Sequence, residues 1–190
     1  PFALVYDDYG DLVAYQPGGQ AFGIYATGGE AGASVDNSGG VTVDGGYATG
    51  IHAQSYGDTT VSNSGDIVAG SGLNTYYNPT TYYSYYYGTQ VATGINAASN
   101  GEGAHVDVAS SGDITVDGIF GATGIAASAT GLGGTASISN SGDILASQDN
   151  GSGYGAYGVI ASADGNADVT NEGGITVVSE GASAGATALS

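Results

Sequence analysis

Asn63-Ser64-Gly65-Asp66-Ile67 returns as Asn140-Ser141-Gly142-Asp143-Ile144 and as Ser110-Ser111-Gly112-Asp113-Ile114. Weaker copies are Asn37-Ser38-Gly39-Gly40-Val41, Asn171-Glu172-Gly173-Gly174-Ile175 and Asp8-Tyr9-Gly10-Asp11-Leu12. They begin at residues 8, 37, 63, 110, 140 and 171, so each step is 26 to 31 residues except the 47 between 63 and 110. A second theme falls once in each repeat: Ala48-Thr49-Gly50-Ile51, Ala92-Thr93-Gly94-Ile95 and Ala122-Thr123-Gly124-Ile125, with variants at Ala21, Ala156 and Ala186. A third precedes the Asn position, as in Thr59-Thr60-Val61 and Val106-Asp107-Val108.

Each theme is a short period-2 run bounded by Gly, Asn, Asp or Ser, which is the signature of a strand. One repeat supplies three strands and three turns. Such a triplet cannot bury its apolar face alone, whereas triplets stacked in parallel bury one continuous core. The sequence therefore predicts an all-β fold, a three-sided parallel β-solenoid (β-helix) of about six turns of roughly 30 residues. Residues 1–190 form one solenoid domain, with a Tyr-rich insert at 71–90.

Alternation sends Ile67, Ala69, Ile114, Val116, Ile144 and Ala146 inward from the first strand of each turn. Ile51, Ala53, Ile95, Ala97, Ile125 and Ala127 follow from the second, and Val61, Val108, Ile138 and Val169 from the third. The Asn position keeps the inward parity, so Asn37, Asn63, Ser110, Asn140 and Asn171 are expected to stack as a structural ladder. Amides in register can bond one another and the turn backbone at a buried corner.

These Asn-Ser-Gly-Asp-Ile and Ala-Thr-Gly-Ile themes resemble the β-helical passenger repeats of Gram-negative autotransporters and related adhesin-like surface proteins. The resemblance covers the chain outside the Tyr-rich insert. It implies export, a right-handed β-helix and a surface or adhesive role at the bacterial cell surface. The family's membrane-embedded translocator barrel has no counterpart in these residues.

Lys and Arg are absent, and 18 acidic residues give a net charge of −18. With no cation to displace counterions, nucleic acid is excluded as a partner, and attraction to an anionic membrane surface is disfavoured. No run of about 18 apolar residues is present, so no membrane insertion through a helix is expected. Cysteine is absent, which removes disulfides and thiolate chemistry. Methionine is absent too and the sequence opens at Pro1, which reads as a processed chain or a fragment.

The insert holds Tyr76, Tyr77, Tyr82, Tyr83, Tyr85, Tyr86 and Tyr87, seven of 15 tyrosines. Tyrosine offers a stiff amphipathic surface at low entropic cost, which suits contact with a neighbouring chain or fibre, or stacking on surface glycans. An unstructured loop, a hairpin lying flat on the solenoid and a cap over a neighbouring subunit are the structural alternatives. Asp66, Asp113 and Asp143 recur at one place in three turns and should form an outward column at about 4.8 Å spacing. Calcium (Ca2+) could bridge them, or they splay into water as turn carboxylates. No other cofactor is implied. The two histidines, His52 and His105, point outward from different strands. A carbohydrate-active β-helix enzyme would have carboxylates in plenty, but no Arg or Lys to bind an anionic polysaccharide or to act as a lyase base.

The preferred reading is a non-enzymatic, extracellular structural protein whose partner is itself. Pro1 to Tyr6 take the third-strand slot ahead of the first turn, and Ala186 to Ser190 take the second-strand slot of the last. Pro1, Phe2 and Leu4 of one subunit would then meet Thr187, Leu189 and Ser190 of another, giving a homopolymeric filament with a rise of about 29 Å. The step from Leu189 to the next Leu12 is shorter than that from Val159 to Ile175, so the junction is tighter or offset. The alternative is an autotransporter passenger fragment that acts as an adhesin through its Tyr-rich loop. One consequence of the composition is immediate: trypsin should leave the urea-denatured chain at its full mass on a gel.

Overall fold

The computed structural model describes residues 2–6, 12–16, 19–78, 83–149, 154–179 and 186–189. Every regular element among them is a strand. Sixteen strands wind into three parallel sheets, and four others form a separate antiparallel sheet.

Short β-branched and Ala-rich runs between Gly-containing turns give the coil its three sides. The first solenoid sheet stacks β5 (Val41–Val43), β8 (Ile67–Ala69), β13 (Ile114–Gly118), β16 (Ile144–Gln148) and β19 (Ile175–Ser179). The second stacks β3 (Gln20–Thr27), β6 (Tyr47–Ser55), β11 (Val91–Ser99), β14 (Gly121–Ala129), β17 (Gly155–Ala163) and β20 (Ala186–Leu189). The third stacks β4 (Ala33–Asn37), β7 (Thr59–Asn63), β12 (His105–Ser110), β15 (Thr135–Asn140) and β18 (Ala167–Asn171). Like residues meet in register: Ile114 lies beside both Ile67 and Ile144, and Ile95 beside both Ile51 and Ile125.

The three-sided parallel β-solenoid is thus the observed architecture, but it has about five turns rather than six. The difference lies in β1 (Phe2–Tyr6) and β2 (Leu12–Gln16). These two strands do not occupy solenoid slots. They join β9 (Leu73–Asn78) and β10 (Tyr83–Gly88) in an antiparallel side sheet of order β2-β1-β10-β9. The Tyr-rich insert is therefore a hairpin whose free edge is taken by the strands preceding the solenoid.

The inward residues expected from alternation form the core. Ile51, Ile67, Ile95, Ile114, Ile125, Ile138 and Ile144 are all at most 2% exposed, while Val169 in the outer turn is partly buried. Each buried Ile contributes about 1.5–3 kcal/mol, and the apolar part of this narrow core consists of Ala, Val and Ile.

At the glycine of the Ala-Thr-Gly-Ile theme the backbones of adjacent turns come into close contact. A Cβ at Gly94 would lie 2.5 Å from the Gly124 carbonyl oxygen, and one at Gly50 would lie 2.6 Å from that of Gly94. The second-sheet strand bends there, so that Thr93 lies outside and Ile95 inside; only glycine lets the stacked backbones approach this closely.

The Asn ladder is present and directional. Asn37 Nδ2 donates to Asn63 Oδ1 at 2.8 Å, and Asn140 Nδ2 donates to Asn171 Oδ1 at 2.8 Å. Each of these amides also donates to the carbonyl two residues on, as Asn63 does to Gly65. Ser110 interrupts the row: it accepts from Asn63 Nδ2 at 3.3 Å, but its short side chain leaves the buried Asn140 Oδ1 without a partner. An orphaned buried acceptor costs about 1–3 kcal/mol. Ser110→Asn should close the gap, since Asn63 and Asn140 occupy the same place in the adjacent turns. We expect a rise in melting temperature of about 2–4 °C, read by circular dichroism, with Ser110→Ala showing no gain.

Candidate functional site

Four features outside the core carry polar chemistry. The first is the Asp column. Asp113 N–H donates to Asp66 Oδ1 at 3.1 Å, Asp143 N–H to Asp113 Oδ1 at 2.9 Å, and Gly174 N–H to Asp143 Oδ1 at 2.8 Å. Each carboxylate thus caps the amide of the following turn, and all three aspartates are exposed. That bond fixes the outward column expected from the sequence and gives it a structural task. Among the described residues, no group of three or more His, Cys, Asp or Glu side chains converges to hold a metal.

The second is the root of the insert. Asp44, at the end of β5, takes hydrogen bonds from Thr89 Oγ1 at 2.9 Å and Ser71 Oγ at 3.2 Å, so one carboxylate clamps both stems of the hairpin. Beside it, Gly72 has φ +60° and packs against two further carboxylates. A Cβ there would lie 2.8 Å from Asp149 Oδ2 and would collide with Asp117 Oδ2. Burial raises the Asp117 pKa above its ordinary value of 3.8, and the neighbouring charge of Asp149 adds to the rise; a hydrogen bond with Ser147 acts the other way. The sequence pattern carried no hint of this cluster, because Asp117 and Asp149 meet only through the stacking of two turns.

In the side sheet, Tyr76 and Tyr77 belong to β9, and Tyr83, Tyr85, Tyr86 and Tyr87 to β10; Tyr82 lies outside the described residues. Tyr85 lies opposite Tyr76 on one side and Val5 on the other, and Tyr86 lies opposite Thr75 and Leu4. Phe2 and Leu4 are therefore in β1 of this sheet, and not in a third-sheet slot, in this structure. Thr187 and Leu189 do lie in the outermost second-sheet strand, beside Tyr157 and Val159. Pro1 and Ser190 lie outside the described residues.

The fourth feature is on the outer solenoid surface. Tyr25 stacks on His52 with ring centroids 5.2 Å apart and planes 10° apart, and Phe22 sits 4.9 Å from Tyr25. Aligning the repeats on Ala-Thr-Gly-Ile would have placed Tyr25 over His52. His105 is on the third sheet with its Nδ1 2.7 Å from Thr135 Oγ1, so the two histidines share no site. At the corner between the second and third sheets, the loop 56–58 is two residues shorter than loops 28–32 and 100–104. The recess it leaves is an open groove of about 490 Å³ that includes Glu30, Tyr56, Asp58 and Glu102. Asp58 Oδ1 there accepts the His105 backbone N–H at 2.8 Å.

Asp117 supplies a pH test. Because its folded pKa is raised, its ionisation opposes folding, and the stability it contributes is full only below the ordinary carboxylate pKa and is lost as pH rises through the folded value. Asp117→Asn should therefore melt higher than the parent at pH 7, and the two curves should converge as the pH falls below about 4. A constant offset between the melting curves at all pH values would contradict this.

No family model matches the chain, and neither the curated proteins nor the solved structures contain a match to it.

Proposed function

We propose that the chain is an extracellular structural subunit, a β-solenoid that stacks head-to-tail on copies of itself into a filament and carries no catalytic activity. The observation that carries this reading is the common polarity of the side-chain rows. Each bonded Asn pair donates from one turn to the next, and each Asp accepts from the turn that follows. The two ends of the rod are thus complementary rather than alike. Asn171 Nδ2 bonds Gly173 of its own turn and keeps a second proton for a following turn, while Asn37 Oδ1 is an acceptor with no donor among the described residues. Head-to-tail placement joins these two, which makes a heterologous contact that does not close on itself.

Charge distribution supports the same arrangement. The Asp column ends in glycine on both sides, Gly40 beside Asp66 and Gly174 beside Asp143, so these columns need not oppose each other across a junction. Export to the cell surface is the setting that the autotransporter-like repeats imply. Against catalysis stand the separation of the two histidines and the absence of any Lys or Arg. The adhesin reading draws on the seven tyrosines of the insert, a residue type suited to stacking on a neutral saccharide or on another fibre.

Concentrated protein should form fibres visible by negative-stain electron microscopy. Assembly followed by light scattering should quicken with added sodium chloride, because subunits of charge −18 repel one another and salt screens that repulsion. Protein that remains monomeric at high concentration and high salt would sink the proposal.

A further inference from the structure

The strand count of the solenoid is uneven in a specific way. The second sheet has six strands, while the first and third have five each. The chain always passes from the first sheet to the second to the third, and β20 is a second-sheet strand. A copy stacked beyond β20 brings its own second-sheet strand, β3, ahead of β4 and β5. If β3 of that copy seats directly on β20, the sixteen solenoid strands of each copy leave one slot in the third sheet beyond β18 and one in the first sheet beyond β19.

The inward residues at those two edges have room for a further strand against them. Val169, Ile175 and Val177 are only partly buried, whereas Ile138, Ile144 and Ala146 one turn further in are at most 2% exposed. Filling the slots takes one third-sheet strand followed by one first-sheet strand, leading into β3.

The segment that meets this requirement is β1–β2. Its two strands come directly before β3, in the order in which every turn runs from third to first to second sheet. They have five residues each, as do β18 and β19. The sequence entering β2, Gly10-Asp11-Leu12, repeats the Gly65-Asp66-Ile67 entry of the first-sheet strand β8. Aligned on that entry, Leu12 and Ala14 fall at the positions of Ile175 and Val177. Gln16 falls at the position of Ser179 and Gln148, whose side chains bond at 2.7 Å. By contrast, the side sheet holds β1 and β2 antiparallel, and Val5–Tyr6 already breaks its register.

We infer that β1 and β2 are exchangeable strands. On assembly they leave the Tyr-rich hairpin and enter the third and first sheets between β18 and β19 of one copy and their own β4 and β5. This is strand addition in which the partner is a second copy of the chain. It gives each copy six strands in every sheet. It also frees the β10 edge of the Tyr-rich hairpin in the assembled state only, so a monomer covers the edge that a filament presents. The inference rests on the head-to-tail reading above and specifies its mechanism.

A disulfide lock tests it, and the absence of native cysteine makes the lock unambiguous. Val5→Cys with Tyr85→Cys joins residues paired across β1 and β10; Leu4→Cys with Tyr86→Cys is a second lock at the next register position. Circular dichroism of the reduced proteins establishes that each still folds. The oxidised proteins are expected to lose elongation in light scattering, and reduction should restore it to the rate of the parent. Oxidised proteins that elongate as fast as their reduced forms would overturn strand exchange while leaving head-to-tail stacking intact. A parent chain that never assembles would instead overturn the stacking reading itself, and strand exchange with it.

Discussion

Close backbone contact between successive turns is the constraint from which the rest of this structure follows. Where Gly50, Gly94 and Gly124 stack, a single added carbon would strike the next carbonyl. That contact fixes where the second-sheet strand bends, and the bend decides which residues of Ala-Thr-Gly-Ile face in. Register between turns then becomes obligatory, because a slip of one residue would send every Ile outward. The polar rows are a consequence of the same register: Asn meets Asn and Asp meets the next amide only because identical positions are superposed.

The parts of this arrangement that repeat could be read from the sequence. Ile67, Ile114 and Ile144 recur in a fixed frame with their Asn and Gly neighbours, so alternation gives the core, the ladder and the three-sided coil. What was not legible depends on single occurrences. Phe2–Tyr6 is a continuous apolar run that suits either a solenoid slot or an antiparallel ribbon, and such a run does not distinguish parallel from antiparallel pairing. Asp117 and Asp149 look like ordinary turn carboxylates, and only the stacking of β13 on β16 brings them together beside Gly72. The Tyr25–His52 stack needs the repeat alignment to be carried through to the outer face, where the motifs are weakest.

A chain with 18 acidic groups and no basic side chain has to hold its charges without ion pairs to Lys or Arg. Here backbone amides take that part. Asp66, Asp113 and Asp143 each accept an N–H from the turn that follows, and Asp44 accepts two hydroxyls. Hydrogen bonds to an ionised acceptor are stronger than neutral ones, so the negative charge is tied into the turns. Asp117 is in a different setting, held against another carboxylate at the place where the side sheet leaves the rod.

The stacking direction also has a mechanical meaning. In a parallel solenoid the backbone hydrogen bonds between turns run along the rod, while the covalent chain circles it. A pull along the axis therefore bears on whole layers of bonds at once, three strands and their ladder contacts loading together. When one layer gives way it releases a full turn of slack, and the layers behind it remain closed. Such a rod yields in discrete steps and dissipates work at each one, as a row of rivets does when a seam is peeled.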